Sequence, residues 1–233
     1  MNLLESIKRF YASSVGKKLL VALSGAALLL FLLGHLVGNL LVYMGREAIN
    51  DYAEFLHHSL HGAGVWIARF GLLGAVTVHV VATIHLVQQN RAARVNRYAF
   101  ESTVKASRAS RTMIISGVII LSFIIFHLLH FTILPGPGDK EYYDATADHI
   151  RPDVYGLVVR GFSNVFISLF YMVSMAFLCL HLSHGFASVF QTLGLRTEKS
   201  ATLIQWAGYG YAAFIFFGNI SIPLAVLLGF VNL

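Results

Sequence analysis

The sequence predicts an all-α membrane protein with five transmembrane helices, the first four of which form a four-helix bundle. Five apolar stretches are each long enough to cross a bilayer, only 12% of the residues are charged, and the mean hydropathy is +0.69. A soluble domain would carry about twice that fraction of charged residues. We therefore expect residues 1–233 to form a single transmembrane domain.

The apolar stretches define helices one to five, at residues 19–43, 64–88, 112–134, 155–186 and 202–231. About 20 helical residues cross the ~30 Å hydrocarbon core, so each stretch is sufficient. The fourth stretch exceeds this length, which predicts a tilted or protruding helix. Residues 1–18 are polar and basic, and they are expected to form an amphipathic helix that leads into helix one.

Lysines and arginines indicate the orientation of the helices. Twelve of them lie in residues 1–18, 89–111 and 187–201, whereas five lie at the opposite helix ends. Because cytoplasmic loops carry the excess of these residues, we expect a cytoplasmic N-terminus and an external C-terminus. Topology thus explains the net charge of +6, and no nucleic-acid partner is expected. The basic cytoplasmic surface formed by 1–18 and 89–111 is expected to dock a soluble partner.

A twelve-residue pattern occurs twice, and each copy places a histidine inside an apolar helix. It runs from Ser24 to His35 as SGAALLLFLLGH and from Ser116 to His127 as SGVIILSFIIFH. Eleven helical steps return to within about 20° of the starting direction, so the serine and the histidine share one helix face about 16 Å apart. A membrane imidazole is costly unless something uses it. The repeat therefore suggests two helices that present histidines to one shared object.

Topology places His35 and His127 in the outer half of the membrane, and His79 and His181 in the inner half. This arrangement predicts two histidine pairs at two depths of one four-helix bundle. A b-type haem with two axial imidazoles requires such a pair, with one ring from each of two facing helices, so two b haems are expected. A c-type haem attachment is excluded because no C-x-x-C-H motif occurs, and Cys179 is the only cysteine. The alternative is that these histidines only hydrogen-bond between helices.

The Ser-Gly pairs fit the same prediction. Gly25 and Gly117 lie about 15 Å inward of the outer histidines, near the inner pair, where a glycine would let the inner macrocycle approach the backbone. Ser24 and Ser116 are expected to hydrogen-bond haem propionates or their own helices. Close helix packing is the alternative reason for such pairs.

Three further histidines are weaker candidates for haem ligands. His130 and His184 each lie three residues beyond a better candidate, and they are expected to bond a propionate or the backbone. The repeat favours His127 over His130, because Gly38 occupies the position that matches His130. His85 lies near the cytoplasmic end of helix two and is expected to be interfacial.

A second polar cluster follows helix one on the outer side. A quinone pocket needs an aromatic or apolar slot with a hydrogen-bond donor for each carbonyl and a route for protons. The candidates for this pocket are Tyr52, His57, His58, His61 and Arg69, with Glu54 and Trp66 beside them. A solvated loop with interfacial aromatics explains them equally well. On the inner side, His85, Gln88, Arg108 and Arg111 are a second possibility.

The chain resembles the cytochrome b membrane anchor of succinate dehydrogenase and fumarate reductase (respiratory complex II), of the single-chain, five-helix, two-haem type. The motifs that carry the resemblance are SGAALLLFLLGHLVGN, EAINDYAEFL, VTVH of helix two, SGVIILSFIIFH, and CLHLSHG of helix four. The resemblance implies that His35, His79, His127 and His181 are the axial ligands. It pairs helices one and three at the haem far from the soluble subunits, and helices two and four at the near haem.

The resemblance also implies the function and the partners. The chain would carry electrons between an iron–sulfur subunit and a menaquinone-type quinone, while a flavoprotein with FAD holds the succinate site. The expected location is the cytoplasmic (inner) membrane of a bacterium, and a higher oligomer of the complex is left open. Some fumarate reductases of this family have a glutamate two residues before the helix-four ligand. Here that position is Cys179, which favours succinate oxidation.

Two alternatives remain from the sequence. A di-haem cytochrome b of a hydrogenase or formate dehydrogenase shares the same chemistry and differs in its soluble subunits. A metal transporter that uses histidines would have acidic residues inside its helices, and the apolar stretches contain almost none.

Overall fold

The computed structural model describes residues 2–93, 108–133, 143–144 and 151–233, and this part of the chain is almost entirely helical. Five segments are long and apolar enough to cross a membrane, namely Ser14–Met44, Arg46–Ala92, Thr112–Ile133, Val165–Thr192 and Glu198–Leu227. The prediction of an all-α, multi-pass membrane protein is confirmed.

The N-terminal half contains α1 (Leu3–Ala12), α2 (Ser14–Asn39), α3 (Arg46–His58) and α4 (Ala63–Ala92). The predicted lead-in helix is α1, and the side chain of Asn2 caps it by accepting from the backbone N–H of Glu5 at 2.9 Å. Single helical turns of the 3₁₀ type connect α2 to α3 (Leu40–Met44) and α3 to α4 (Ser59–Gly62).

The C-terminal half contains α5 (Arg108–Leu128), α6 (Val154–Phe162), α7 (Val165–Thr192) and α8 (Glu198–Leu227). A π-helical turn, Leu129–Ile133, extends α5. Two short strands, β1 (Tyr143–Asp144) and β2 (Arg151–Pro152), pair in antiparallel fashion ahead of α6.

The structure divides the predicted fourth helix, 155–186, into α6 and α7. The division occurs at Ser163 and Asn164, where the Asn164 side chain accepts from the N–H groups of Phe166 and Ile167 at 2.9 and 3.2 Å. This cap starts a new helix, since it satisfies N–H groups that a continuous helix would bond internally. The unusual length of this stretch thus reflects a membrane helix preceded by a short outer helix.

The long helices pack in two pairs, α2 with α4 and α5 with α7, and α7 also contacts α2. Together they form the predicted bundle, while α8 lies against α7 and α2 on its outside. Each of the two repeat-bearing helices, α2 and α5, therefore packs against the next long helix of the chain, which carries a histidine.

A cluster of charged residues joins α3, the strand pair and α6 at one end of the bundle. Asn50, which is fully buried, donates to Asp153 at 3.2 Å and accepts from the backbone N–H of Tyr155 at 3.0 Å. Arg46 forms a 2.8 Å ion pair with Asp153. Buried polar groups are tolerated only when they are hydrogen-bonded, so these contacts hold the segments in one arrangement.

Arg151 is the central cation of this cluster, and it contacts the carboxylates of Glu47, Asp51 and Asp144. Burial alone lowers the pKa of Arg151, but the hydrogen bonds and charges of these carboxylates outweigh burial and raise the pKa above its usual value. A raised folded-state pKa stabilises the fold at every pH below the unfolded-state pKa, and this stabilisation is lost only as the pH rises through the folded-state pKa. Arg151 therefore contributes equally throughout the neutral range.

We expect Arg151→Gln to lower the free energy of unfolding by about 3 kcal/mol, because it removes the cation that faces the buried carboxylate of Asp144. Glu47→Gln is the matched control. The Glu47 side chain is 72% exposed, so its loss should cost less than about 1 kcal/mol. Thermal unfolding of the purified variants, followed by circular dichroism, measures both effects. Equal shifts of the unfolding midpoint would contradict the central role of Arg151.

Candidate functional site

The inner histidine of α4 docks on the Ser-Gly pair of α2. Nδ1 of His79 lies 3.2 Å from Ser24 Oγ and 3.2 Å from the carbonyl oxygen of Val21. The buried Ser24 hydroxyl donates to the carbonyl of Leu20 at 2.6 Å, so its oxygen remains an acceptor for the imidazole. A Cβ atom on Gly25 would lie 3.3 Å from the His79 ring, closer than ordinary van der Waals contact. The serine thus supplies an acceptor and the glycine supplies space.

The second copy of the repeat makes the same contact. Nδ1 of His181, on α7, lies 3.2 Å from Ser116 Oγ of α5. The buried Ser116 hydroxyl donates to the carbonyl of Met113 at 3.1 Å. A Cβ atom on Gly117 would lie 3.7 Å from the His181 ring. We call these two arrangements, Ser24-Gly25 with His79 and Ser116-Gly117 with His181, the inner clasps.

The hydrogen bonds of the clasps determine which ring nitrogen is available to a ligand. A backbone carbonyl can only accept, so the contact with Val21 requires that Nδ1 of His79 carry its hydrogen. Nε2 of His79 then has a free lone pair, and a neutral imidazole binds a metal through such a nitrogen. Ser116 acts on His181 in the same way, because its own hydrogen is donated to the carbonyl of Met113.

The structure brings together both histidine pairs that the depth estimate predicted. The ring centroids of His79 and His181 are 6.4 Å apart, and those of His35 and His127 are 5.8 Å apart. Two imidazoles that bind one metal atom from opposite sides have centroids about 6 Å apart, since each metal–nitrogen bond is about 2 Å long. The spacing of both pairs therefore fits a shared metal atom.

The donor set also fits haem better than a free metal ion. Each pair offers two imidazoles, and the described residues contain no group of three or more histidine, cysteine, aspartate or glutamate side chains arranged to hold a metal. A free metal ion of the zinc type needs at least three protein ligands. Haem needs only two, because the macrocycle supplies the other four nitrogens. The paired histidines, the free Nε2 atoms and the apolar helices around them match that requirement.

The outer pair has an aromatic environment instead of a serine clasp. His35 stacks on Phe31 with centroids 5.2 Å apart, and His127 stacks on Phe123 at 5.8 Å. The hydroxyl of Tyr171 lies 3.4 Å from Nδ1 of His127. The two histidine pairs therefore differ in polarity and in the partners of their Nδ1 atoms.

His130 shares a contact with His127 of the outer pair, the hydroxyl of Tyr171. Its Nδ1 lies 3.0 Å from the hydroxyl of Tyr171, and its ring packs against Phe131 at 4.2 Å. A Cβ atom on Gly161 of α6 would lie 2.9 Å from the His130 ring, so only glycine fits there. These contacts place His130 in an aromatic cluster between α5, α6 and α7, while the ring that faces His35 is that of His127.

In the structure, the Ser-Gly pairs contact the rings of the inner histidines. Gly25 and Gly117 lie at the level of the inner histidines, as expected, but the groups against them are the imidazole rings themselves. Of the two roles expected for Ser24 and Ser116, the bonds to their own helices are present. Contacts with a macrocycle or a propionate stay predictions.

The five candidates for a quinone pocket make local contacts in the structure. Tyr52 packs on α2, where a Cβ atom on Gly38 would lie 2.6 Å from its ring. Nδ1 of His57 and of His58 each bonds the carbonyl four residues earlier, at 2.8 and 3.0 Å. His61 has a left-handed backbone in the turn before α4, and the guanidinium of Arg69 lies over the ring of Trp66 at 5.0 Å. Only Tyr52 reaches α2, one helical turn beyond His35.

The remaining predicted residues lie toward the other end of the bundle. The Tyr11 hydroxyl is 2.6 Å from Nδ1 of the exposed His85, so this histidine joins α4 to α1. The carbonyl of His184 accepts from the Ser188 hydroxyl at 2.9 Å. Of the predicted docking segment 89–111, the backbone of residues 94–107 and the side chains of residues 94–111 lie outside the described part of the chain.

Tyr171 is the site residue that sequence reasoning missed. It is buried, and its hydroxyl contacts both His127 and His130. A signal was present, because a tyrosine hydroxyl in the middle of an apolar helix needs a hydrogen-bond partner for the same reason as an imidazole does. Nothing in the sequence indicated that the partners would be histidines from a neighbouring helix.

Comparison with known protein families connects this geometry to one family. A family model described as succinate dehydrogenase/fumarate reductase transmembrane subunit matches residues 85–218. No curated protein and no solved structure gives a significant match. The matched segment carries His127 and His181 with the second copy of the repeat, and it covers more than half of the chain. The chain therefore belongs to the family of succinate dehydrogenase and fumarate reductase transmembrane subunits.

Proposed function

We propose that this membrane anchor subunit passes electrons between an iron–sulfur subunit and a membrane quinone through two b haems. The observation that carries the proposal is the presence of two facing histidine pairs at two levels of one bundle. The family match favours a complex II anchor over the cytochrome b of a hydrogenase or formate dehydrogenase.

The four histidines divide into two sites in this proposal. His79 and His181 would hold the inner haem, and His35 and His127 the outer haem. A haem with two axial histidines supplies a one-electron redox centre when it is bound. At the outer site, Phe31 stacks on His35 and Phe123 stacks on His127, and these apolar rings would keep water away from a bound haem.

The residues around the ligands orient the imidazoles. Each inner clasp accepts the Nδ1 hydrogen and thereby fixes both the tautomer and the angle of the ring. At the outer site the hydroxyl of Tyr171 can donate to one imidazole and accept from another, which links His127 to His130. A rigid ligand set lowers the reorganisation that accompanies each change of iron charge.

The partners follow from the family and from the distribution of charge. A flavoprotein with FAD would hold the succinate site. This chain would therefore be a subunit of the enzyme that does not itself carry the succinate site. The iron–sulfur subunit would dock on the basic side of residues 1–18 and 89–111. We place the complex in the cytoplasmic membrane of a bacterium, with the N-terminus of the chain in the cytoplasm.

The quinone and the working direction belong to the same proposal. A menaquinone-type quinone would bind near the outer haem beside Tyr52, the one candidate that reaches α2 near His35. Cys179 stands where some fumarate reductases carry a glutamate linked to proton transfer. A thiol is a poorer proton carrier than a carboxylate, because it is a weak hydrogen-bond donor and acceptor, and this favours succinate oxidation.

We expect the purified protein to contain two b haems per chain. His35→Ala or His127→Ala should remove the outer haem or leave it five-coordinate, and His79→Ala or His181→Ala should do the same to the inner haem. His85→Ala is the control, since this exposed histidine contacts Tyr11 and should not affect either haem. Haem-to-chain ratios and redox titration measure the outcome. One haem, or none, in fully loaded wild-type protein would refute the proposal.

We expect the two neighbouring histidines of α5 to behave differently. His127→Ala should remove the outer haem or leave it five-coordinate, because the ring of His127 faces that of His35. His130→Ala should retain two haems and shift only the potential of the outer one, since His130 acts through Tyr171. Low-temperature spectra count the low-spin haems. If His130→Ala loses a haem and His127→Ala keeps both, the ligand must be reassigned.

We expect Ser24→Ala and Ser116→Ala to retain both haems and to raise the midpoint potential of the inner haem by tens of millivolts. Removing an acceptor from Nδ1–H makes the imidazole a weaker donor, which destabilises the ferric form. Ser122→Ala is the matched control, because this exposed serine bonds only its own helix at Val118. Serine-to-threonine variants should restore the potential. A shift of the outer haem instead would contradict the clasp.

A further inference from the structure

A groove of about 290 Å³ lies where the turn between α7 and α8 meets the first turns of α8. The residues that line it are Arg196, Ala201, Thr202, Gln205, Trp206 and Tyr209. Both α7 and α8 are long and apolar enough to span a membrane, so the turn between them lies at a membrane surface. The groove therefore begins at the level of the lipid headgroups, and this holds for either orientation of the chain.

Arg196 is the charged residue of the groove, and part of its hydrogen-bonding capacity is unused. Its Nη1 donates to Oε1 of Gln191 at 3.2 Å. Its Nε is buried and lacks a hydrogen-bond partner among the described residues. The ion pairs found in the described chain involve other cations. A buried donor without an acceptor is costly, and the guanidinium is positively charged. An anionic acceptor would therefore bind it favourably.

The aromatic residues of the groove indicate which kind of anion. Trp206 and Tyr209 are 68% and 46% exposed, with their rings edge to face at 5.8 Å. They lie two to three helical turns after the start of α8. The groove therefore extends from the α7–α8 connection toward the apolar part of the span. Exposed tryptophan and tyrosine are typical of the boundary between headgroups and acyl chains. The groove thus has a cation at the level of the headgroups and apolar ring faces closer to the acyl chains.

We propose that this groove binds an anionic phospholipid, with Arg196 facing the phosphate of the headgroup. The planar guanidinium matches the oxygens of a phosphate in geometry and charge. Thr202 and Gln205 add a hydroxyl and an amide donor beside it. The rings of Trp206 and Tyr209 then contact the glycerol and the upper acyl chain. This site is independent of the haems and of electron transfer.

Native mass spectrometry of the purified full-length complex tests the proposal. It counts the phosphatidylglycerol and phosphatidylcholine molecules retained after exposure to vesicles that contain both lipids. Arg196→Gln should lower the retention of phosphatidylglycerol about tenfold, the loss expected for one charge-assisted hydrogen bond. Lys199→Gln, an exposed cation in the first turn of α8, is the matched control and should retain it like the wild type. Trp206→Ala should also lower retention and does not alter the arginine.

Three outcomes would overturn the proposal. Unchanged retention of phosphatidylglycerol in both Arg196→Gln and Trp206→Ala would show that the lipid binds elsewhere. Stabilisation by inorganic phosphate alone, lost in Arg196→Gln without any change in lipid retention, would assign the groove to a free anion. Loss of soluble subunits from Arg196→Gln, again with lipid retained, would assign Arg196 to a protein interface. The haem content of each variant, read from its absorbance, confirms that the bundle has folded.

Discussion

An imidazole within the hydrocarbon layer must have its polar nitrogens satisfied, and this requirement organises the bundle. The lipid offers no hydrogen-bond partner, so one nitrogen of each inner histidine bonds a serine on the neighbouring helix. That bond can form only where the helices come close, and Gly25 and Gly117 allow the approach. Because the same residues satisfy Nδ1, Nε2 of each inner histidine keeps its lone pair.

The repeated clasp explains the pairing of the helices. Each copy of the Ser-Gly pair contacts a histidine on the next long helix of the chain. The copy on α2 contacts α4, and the copy on α5 contacts α7. Two similar units then face each other, and their histidines meet in pairs across the bundle. The fifth span, α8, contributes no histidine and packs outside on α7 and α2.

The two levels of the bundle differ in chemistry although they come from the same repeat. The inner rings bond serine hydroxyls, whereas the outer rings stack on phenylalanines, and His127 also contacts the hydroxyl of Tyr171. Polarity and hydrogen bonding around a ligand tune a redox centre, so two centres held in these sites would have different potentials. Next to the outer pair, the ion pairs of Arg151 join α3 to the strand pair, and Asn50 joins α3 to the first turn of α6.

The sequence by itself determined the fold class, the membrane spans and the pairing of His35 with His127 and of His79 with His181. Hydropathy and helical periodicity act locally along the chain, and depth in the membrane follows from counting residues. Only the tertiary structure decided what the Ser-Gly pairs contact, that the long fourth stretch breaks at Asn164, and that Tyr171 serves two histidines. The contacts of the Ser-Gly pairs and of Tyr171 depend on the rotation of one helix against another, which no single stretch of sequence encodes. The break depends on a local cap at Asn164 that competes with continuation of an apolar helix.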